Sequence, residues 1–76
     1  SPPEADDPML RVVMRLIQHI VADADARDEI AIHEWIFEET KRQGLEEQEV
    51  ESAICNLISS GGLIEIGEGE YILGEE

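Results

Sequence analysis

Positive charge, cysteine and long hydrophobic runs are all scarce in this sequence. A single cysteine, Cys55, cannot form an internal disulfide, which excludes a small disulfide-stapled secreted scaffold. Lys and Arg number 5 against 19 Asp and Glu, so the formal net charge is -14 and the summed field repels phosphate. Nucleic acid and anionic membranes are therefore poor default partners. No apolar run reaches membrane-spanning length and no signal pattern is visible, so we expect an intracellular protein, cytoplasmic or, in a eukaryote, nuclear.

The length and composition describe one small folded domain. The 76 residues suffice for one modest core but not for a large substrate cleft, which favours a binding module over an enzyme. Hydrophobic residues make up 42% of the chain and recur at helical and strand spacing, so the acidic residues are carried on a fold. We expect a Pro-containing, acidic linker over residues 1–7, a domain over residues 8–74 and a short tail over residues 75–76.

The first two helices are predicted from apolar periodicity and from their end signals. Asp7 followed by Pro8 predicts the start of the first helix, whose apolar residues cover more than half its circumference. The segment ADADARDE is expected to break this period. The second helix is expected over residues 33–43, where Gly44 ends it in the left-handed conformation and Leu45 makes the accompanying hydrophobic contact.

The remaining elements are one more helix and three short strands. IAI at residues 30–32 alternates as a very short strand does, and GGLIEIGEGEYILG at residues 61–74 contains two strands around a turn. The third helix is expected over residues 46–60. This order predicts a single α+β domain of the winged-helix class, in which the last hairpin is the wing. The apolar positions in phase predict a core of Val13, Ile17, Ile36, Ile54, Leu57, Ile64 and Tyr71 or Leu73.

No active site or metal site emerges from the sequence. The segment DADARDEIAIHE starts like a calcium loop, but Arg27 stands at the fifth position and Asp28 stands where the sharp turn needs glycine. We interpret it as a solvated acidic loop. His19 and His33 have no other ligand at zinc spacing and are expected to be surface or capping residues, and Cys55 a partly buried, inert thiol. No catalytic residue, cofactor or metal is predicted.

Two apolar features leave alternatives open. Trp35 lies toward the edge of the inward arc of the second helix. It is either a core-edge residue or a contact for a partner, since tryptophan is enriched at interface hot spots. Met9, Val12 and Leu16 form one edge of the first helix. That edge either stays exposed and serves a partner or is covered by the wing strands or by residues 1–7.

The surface of the third helix and the wing carries no positive charge. Neither Lys nor Arg occurs between Gly44 and Glu76, although DNA binding through this helix and wing needs such residues. We therefore expect weak or no binding of duplex DNA by the domain alone and, instead, docking of a protein through a basic segment. The candidate partner-binding residues are Glu46, Gln48, Glu49, Ser52, Asn56, Glu68, Glu70 and Trp35.

Several stretches resemble a known family. MLRVVMRLIQHI, EETKRQGLEEQEVESAICNLISSGGLIEI and EGEYIL are similar to the winged-helix domain at the C-terminus of archaeal minichromosome maintenance helicases. The shared features over residues 9–73 are the Gly-apolar turn, a Val-Glu-led third helix, a Gly-Leu-Ile strand start and a closing tyrosine. The C-terminal winged helix of the middle subunit of replication protein A, an acidic protein-docking module, looks similar too.

The resemblance implies a non-catalytic regulatory domain of a DNA replication protein, tethered by a flexible linker. In a replicative helicase, such a domain would modulate the motor and recruit other factors. The alternatives are a protein-docking domain of a single-stranded-DNA-binding protein and a winged-helix transcription regulator. The acidity fits either a docking surface or a salt-rich cytoplasm, and the sequence leaves the parent protein, the partner and the oligomeric state open.

Overall fold

The structure, a computed structural model, describes residues 7–74. Helix α1 spans Pro8–Ala26, strand β1 spans Ala31–Ile32, α2 spans His33–Arg42, α3 spans Glu47–Ser60, β2 spans Leu63–Gly67 and β3 spans Glu70–Leu73. The strands form one antiparallel sheet in the order β1-β3-β2. The predicted α+β domain with a C-terminal hairpin is confirmed, and its topology is winged-helix-like. The expected tail at residues 75–76 and most of the expected linker lie outside the described residues.

Helix α1 begins as predicted but is longer than predicted. The Asp7 carboxylate accepts a hydrogen bond from the Met9 backbone N–H at 3.0 Å, and Pro8 occupies the first turn. The expected break in ADADARDE was placed too early, because the helix continues to Ala26. Alanine is the best helix former, and Ala24 is fully buried in the core, so packing extends the helix through an acidic segment.

The connection between α2 and α3 follows the predicted chemistry. Gly44 adopts φ +84°, and the Leu45 backbone N–H donates to the Thr40 carbonyl at 3.1 Å. Leu45 packs against the core at the same point. Since only glycine reaches this conformation without a side-chain penalty, the turn is specified locally. Helix α2 ends one residue earlier than expected, at Arg42, and α3 starts after Glu46, which is its N-cap.

The core joins all three helices to the inner face of the sheet. Of the predicted core, Val13, Ile17, Ile36, Ile54, Leu57 and Tyr71 are confirmed as buried. The assignment of Ile64 to the core is wrong, because its side chain is 46% exposed. Leu63, at 1% exposure, takes the inward position instead. Side chains alternate along a strand, so with Leu63 inward its neighbour must point outward. Of the two alternatives Tyr71 and Leu73, the tyrosine is the buried residue.

A bulge interrupts the pairing of β2 with β3 near the wing tip. Glu65 pairs with Tyr71 and Gly67 pairs with Glu70, so Ile66 is the extra residue of the bulge. Two residues of β2, Ile66 and Gly67, therefore stand opposite Glu70. Ile66 is 49% exposed and Ile64 is 46% exposed, so both side chains lie away from the core.

None of the helices within residues 7–74 is long and apolar enough to cross a membrane.

Candidate partner-binding site

The exposed side of α3 is polar and carries no positive charge, and Glu51 adds a carboxylate near its centre. Gln48 and Ser52 are exposed, and the Asn56 side-chain amide donates to the Ser52 carbonyl at 2.9 Å, so Asn56 is turned back on its own helix. Cys55, on the same side, is exposed, which corrects the expectation of a partly buried thiol. Most of the exposed α3 side chains are small polar groups or carboxylates, and Ile58, 38% exposed, is the large apolar residue among them.

Glu46 and Glu49 have a local structural role at the start of α3. The Glu49 carboxylate accepts a hydrogen bond from the Glu46 backbone N–H at 3.0 Å. The first turn of a helix carries unpaired N–H groups and a positive dipole end, and a carboxylate there stabilises both. These two predicted partner-binding residues therefore also stabilise the start of α3.

The wing tip is held to the start of α2. The Gly69 backbone N–H donates to the Glu65 carboxylate at 3.0 Å, and the Gly69 carbonyl accepts from the His33 backbone N–H at 2.7 Å. Gly69 has φ +71°, which allows the tight turn between β2 and β3. Glu68 and Glu70 flank this anchored glycine and are exposed, so the tip presents two carboxylates at a fixed position.

A groove of about 620 Å³ runs along α2 and reaches the start of α3. His33 lies at one end, Phe37 lines it, and Leu45 and Glu47 lie at the other end. The groove thus joins the exposed side of α2 to the start of α3, and the residues that line it include none from the wing hairpin. Glu34 and Glu38 add negative charge to its lining, while Lys41 is its one cation.

A small polar cluster lies beneath the wing. The His33 Nδ1 atom is 3.3 Å from the Tyr71 hydroxyl oxygen, and the His33 ring stacks on Phe37 with centroids 4.3 Å apart. Burial raises the pKa of Tyr71 above its ordinary value, and the nearby Glu65 carboxylate and Cys55 thiol raise that pKa further. This shift favours the protonated phenol, whose hydroxyl can make a hydrogen bond with the imidazole.

Trp35 lies on a different part of the molecule. It is half-buried and packs against the core, in agreement with the core-edge alternative. The Arg27 guanidinium lies 5.0 Å from the Trp35 ring centroid, while its Nε pairs with Glu29 at 3.0 Å. Trp35 lines a hollow with Leu16 of α1 and is not part of the α3 and wing surface. A role in partner contact stays a prediction.

The acidic segment that starts at Asp23, interpreted from the sequence as a solvated loop, is partly helical. Asp23 and Asp25 lie within the last turns of α1, which corrects their interpretation as loop residues. Asp28 adopts φ +60°, a left-handed conformation that aspartate tolerates better than most residues. Within residues 7–74 no group of three His, Cys, Asp or Glu side chains is placed to hold a metal ion. His19 and His33 are exposed, as expected.

One edge of α1 remains open in the described part of the chain. Met9 is 49% exposed and Val12 is 63% exposed, whereas Leu16 is half-buried. The wing strands therefore do not cover Met9 and Val12, which contradicts that part of the covering alternative. The other covering segment, residues 1–7, lies outside the described residues except for Asp7.

Sequence reasoning missed a second apolar surface, on the outer face of the sheet. We name it the isoleucine face; it consists of Ile30, Ile32, Ile64, Ile66 and Ile72. The signal was present, because Ile-Ala-Ile and Ile-Glu-Ile both alternate, but the assignment of Ile64 to the core hid it. Only the register shows that these residues share one side.

No family model, curated protein or solved structure matches this chain. The class of the protein rests on its fold, a single α+β domain with winged-helix-like topology.

Proposed function

We propose that this chain is a non-catalytic winged-helix module that docks proteins in DNA replication, as a regulatory domain of a replicative helicase. The single observation that carries the docking role is the absence of Lys and Arg from α3 and the wing, where Glu68 and Glu70 occupy the tip. The connection to a helicase rests on the resemblance of residues 9–73 to the C-terminal domain of archaeal minichromosome maintenance proteins.

The charge distribution argues against strong duplex binding by this domain alone. Affinity for duplex DNA comes largely from cations that neutralise phosphates and release counterions. Base reading in the major groove commonly uses Arg or Lys on the recognition helix. The exposed residues of α3 include Gln48, Ser52 and Cys55, which supply no such charge. The described cations lie on α1, at the end of α2 and at Arg27.

The same charge distribution suits a basic protein segment. Acids at the wing tip and along the α2 groove raise the local concentration of cationic partners and accelerate their association. Docking of this kind would let the tethered domain recruit a replication factor or contact the body of its own helicase, and so modulate the motor. The exposed acids Glu46, Glu68 and Glu70 would steer the encounter.

The runner-up functions differ in what surrounds the domain. A protein-docking domain of a single-stranded-DNA-binding protein would share this acidic surface, whereas a transcription regulator would need a source of positive charge. The coding sequence on either side of this chain separates them. An upstream ATPase domain supports the helicase, and an upstream oligonucleotide-binding barrel supports the single-strand binder.

A fluorescence anisotropy titration with labelled duplex DNA tests the central claim. At about physiological ionic strength we expect no submicromolar binding by the 76-residue chain. A variant with Gln48→Lys, Ser52→Lys and Asn56→Lys is the matched gain-of-charge control and should bind more tightly, with a steeper dependence on salt. Submicromolar, salt-sensitive binding by the unmodified chain would overturn the proposal.

A further inference from the structure

The outer face of the sheet carries apolar side chains although it does not pack against the core. Ile64 pairs directly with Ile72 across β2 and β3, and Ile66, two residues after Ile64 on β2, is also exposed. On the other edge, Ile32 is in register with Glu70, so Ile32 also points away from the buried Tyr71 and Ala31. Extending this register by one residue places Ile30 opposite Ile72.

Four of these five isoleucines are nearly half exposed in the described part of the chain. Ile30 is 46% exposed, Ile32 44%, Ile64 46% and Ile66 49%, and Ile72 in the centre is half-buried. The core lies on the opposite side, where Ala31, Leu63 and Tyr71 join buried residues of all three helices. Contiguous exposed apolar surface of this kind marks interaction sites in folded proteins.

The border of the isoleucine face is acidic. Glu70 stands on the same side of the sheet as Ile32, Glu68 follows in the wing turn, and Glu29 directly precedes Ile30. The nearest cation along the chain, Arg27, is engaged by Glu29 and by the ring of Trp35. An aliphatic centre with a carboxylate border complements a ligand with an aliphatic centre and a cationic border.

We propose that the isoleucine face is the anchor surface for a partner segment that carries aliphatic side chains flanked by lysine or arginine. This inference rests on the proposed docking function and assigns its site and the chemistry of the partner. The acids of the wing attract the segment, and the isoleucines hold it by burial of aliphatic groups. An amphipathic helix is the natural form, because a helix packs its apolar stripe against the apolar face of a sheet.

Charge argues against the two other occupants. A second copy of the chain would carry the same net charge of -14 and would bring the acidic borders of the two faces together. The N-terminal segment SPPEADD is also acidic and contributes no lysine or arginine to meet Glu68 or Glu70. A basic partner is the occupant that both the apolar centre and the border favour.

The test uses the 76-residue chain and three synthetic peptides. The first peptide carries leucine at helical spacing on one side and lysine on the other, the second has glutamate in place of each lysine, and the third has the first composition in scrambled order. Methyl and amide NMR spectra map each titration. We expect the first peptide to bind and to perturb the methyl signals of Ile32, Ile64 and Ile66, and the other two to bind weakly.

Matched variants separate this face from other apolar surface. Ile64→Ser with Ile66→Ser should weaken binding of the lysine peptide by about tenfold or more, as loss of interface anchors does. Met9→Ser with Val12→Ser removes similarly exposed aliphatic groups from α1 and should leave the affinity unchanged. Glu68→Gln with Glu70→Gln should weaken binding at low salt more than at high salt.

The outcomes distinguish this inference from the function on which it rests. Perturbations confined to α3 or to the Met9 and Val12 edge would overturn the isoleucine face and leave protein docking standing. A concentration-dependent dimer in sedimentation that Ile64→Ser with Ile66→Ser abolishes would assign the face to a second copy and overturn the basic partner. Absence of peptide binding combined with submicromolar duplex binding would overturn both.

Discussion

The imidazole of His33 and the hydroxyl of Tyr71 lie 3.3 Å apart, joining the first residue of α2 to the inner face of β3. This pair lies next to the hydrogen bond between the His33 backbone N–H and Gly69, so the wing is connected to α2 by both side chain and backbone. Tyr71 is the only tyrosine of the chain, which makes its ionisation directly observable.

We predict that Tyr71 titrates at a higher pH in the folded chain than in the unfolded chain. Burial and the Glu65 charge raise its pKa above the ordinary value of 10.0. The protonated phenol therefore contributes stability that is fully present below pH 10.0 and is lost as the pH rises through the folded pKa. Tyrosinate absorbance with and without urea measures both midpoints.

Two variants check the cause of this shift. Glu65→Gln should lower the folded midpoint toward the unfolded one, because it removes a nearby negative charge. Tyr71→Phe should abolish the absorbance change and the loss of stability that accompanies it at alkaline pH. Equal midpoints in the folded and unfolded chain would contradict the prediction.

Leu57 and its neighbour Ile58 provide a direct test of the core. Leu57 is 2% exposed and Ile58 is 38% exposed, although they are adjacent on α3. Leu57→Ala should lower the free energy of unfolding by about 2–5 kcal/mol, because it removes buried methyl groups and leaves a cavity. Ile58→Ala should change it by about 0.5 kcal/mol or less. Urea unfolding of both variants measures the difference, and equal effects would show that the helix face is misassigned.

How far the sequence predicts this fold depends on whether a signal is local. Asp7 and Gly44 act on their own backbone neighbours, so the start of α1 was predicted correctly and the end of α2 was predicted to within one residue. The strand phase was not, because Leu63 and Ile64 are both apolar and only contact with the helices decides which one points inward. The extension of α1 likewise depends on burial of Ala24, which no local pattern reveals.

The features of the candidate site also divide into those that the sequence shows locally and those that depend on tertiary structure. The absence of cations from α3 and the wing is a property of the sequence and could be read directly. The isoleucine face brings Ile32 of β1 together with Ile64 and Ile66 of β2, and the strand order that does so is a tertiary property. The bulge at Ile66 also has no sequence signal that fixes its position.

We predict that the turn at Gly44 tolerates asparagine better than valine. A Cβ atom at this position would meet no atom within 4 Å, so we expect the cost to come from φ +84° and not from a clash at Cβ. Gly44→Val should destabilise the domain by about 1–2 kcal/mol, and Gly44→Asn by less, because asparagine visits the left-handed region more readily. Thermal unfolding ranks the variants, and equal melting temperatures for Val and Asn would contradict the conformational explanation.

We also predict that Arg27 stabilises the domain through the ring of Trp35. Arg27→Met keeps much of the aliphatic stem but removes the guanidinium that lies 5.0 Å from the ring centroid, at a cost of about 0.5–1 kcal/mol. Arg42→Met is the control, since Arg42 only forms a surface pair with Glu39. Urea unfolding followed by Trp35 fluorescence compares the two variants. A larger loss for Arg42→Met would contradict the prediction.

The uneven placement of cations also determines which chemical probes can report on this domain. Lys41 is the only lysine, and it lies near the end of α2. Amine-reactive cross-linkers therefore have no lysine to attach to on α3, on the wing or on the isoleucine face. The bond that follows Arg42 is the last trypsin cleavage site in the sequence. A partner bound to these surfaces would leave no lysine cross-link there, whereas carboxylate-directed reagents at Glu68 and Glu70 would record it.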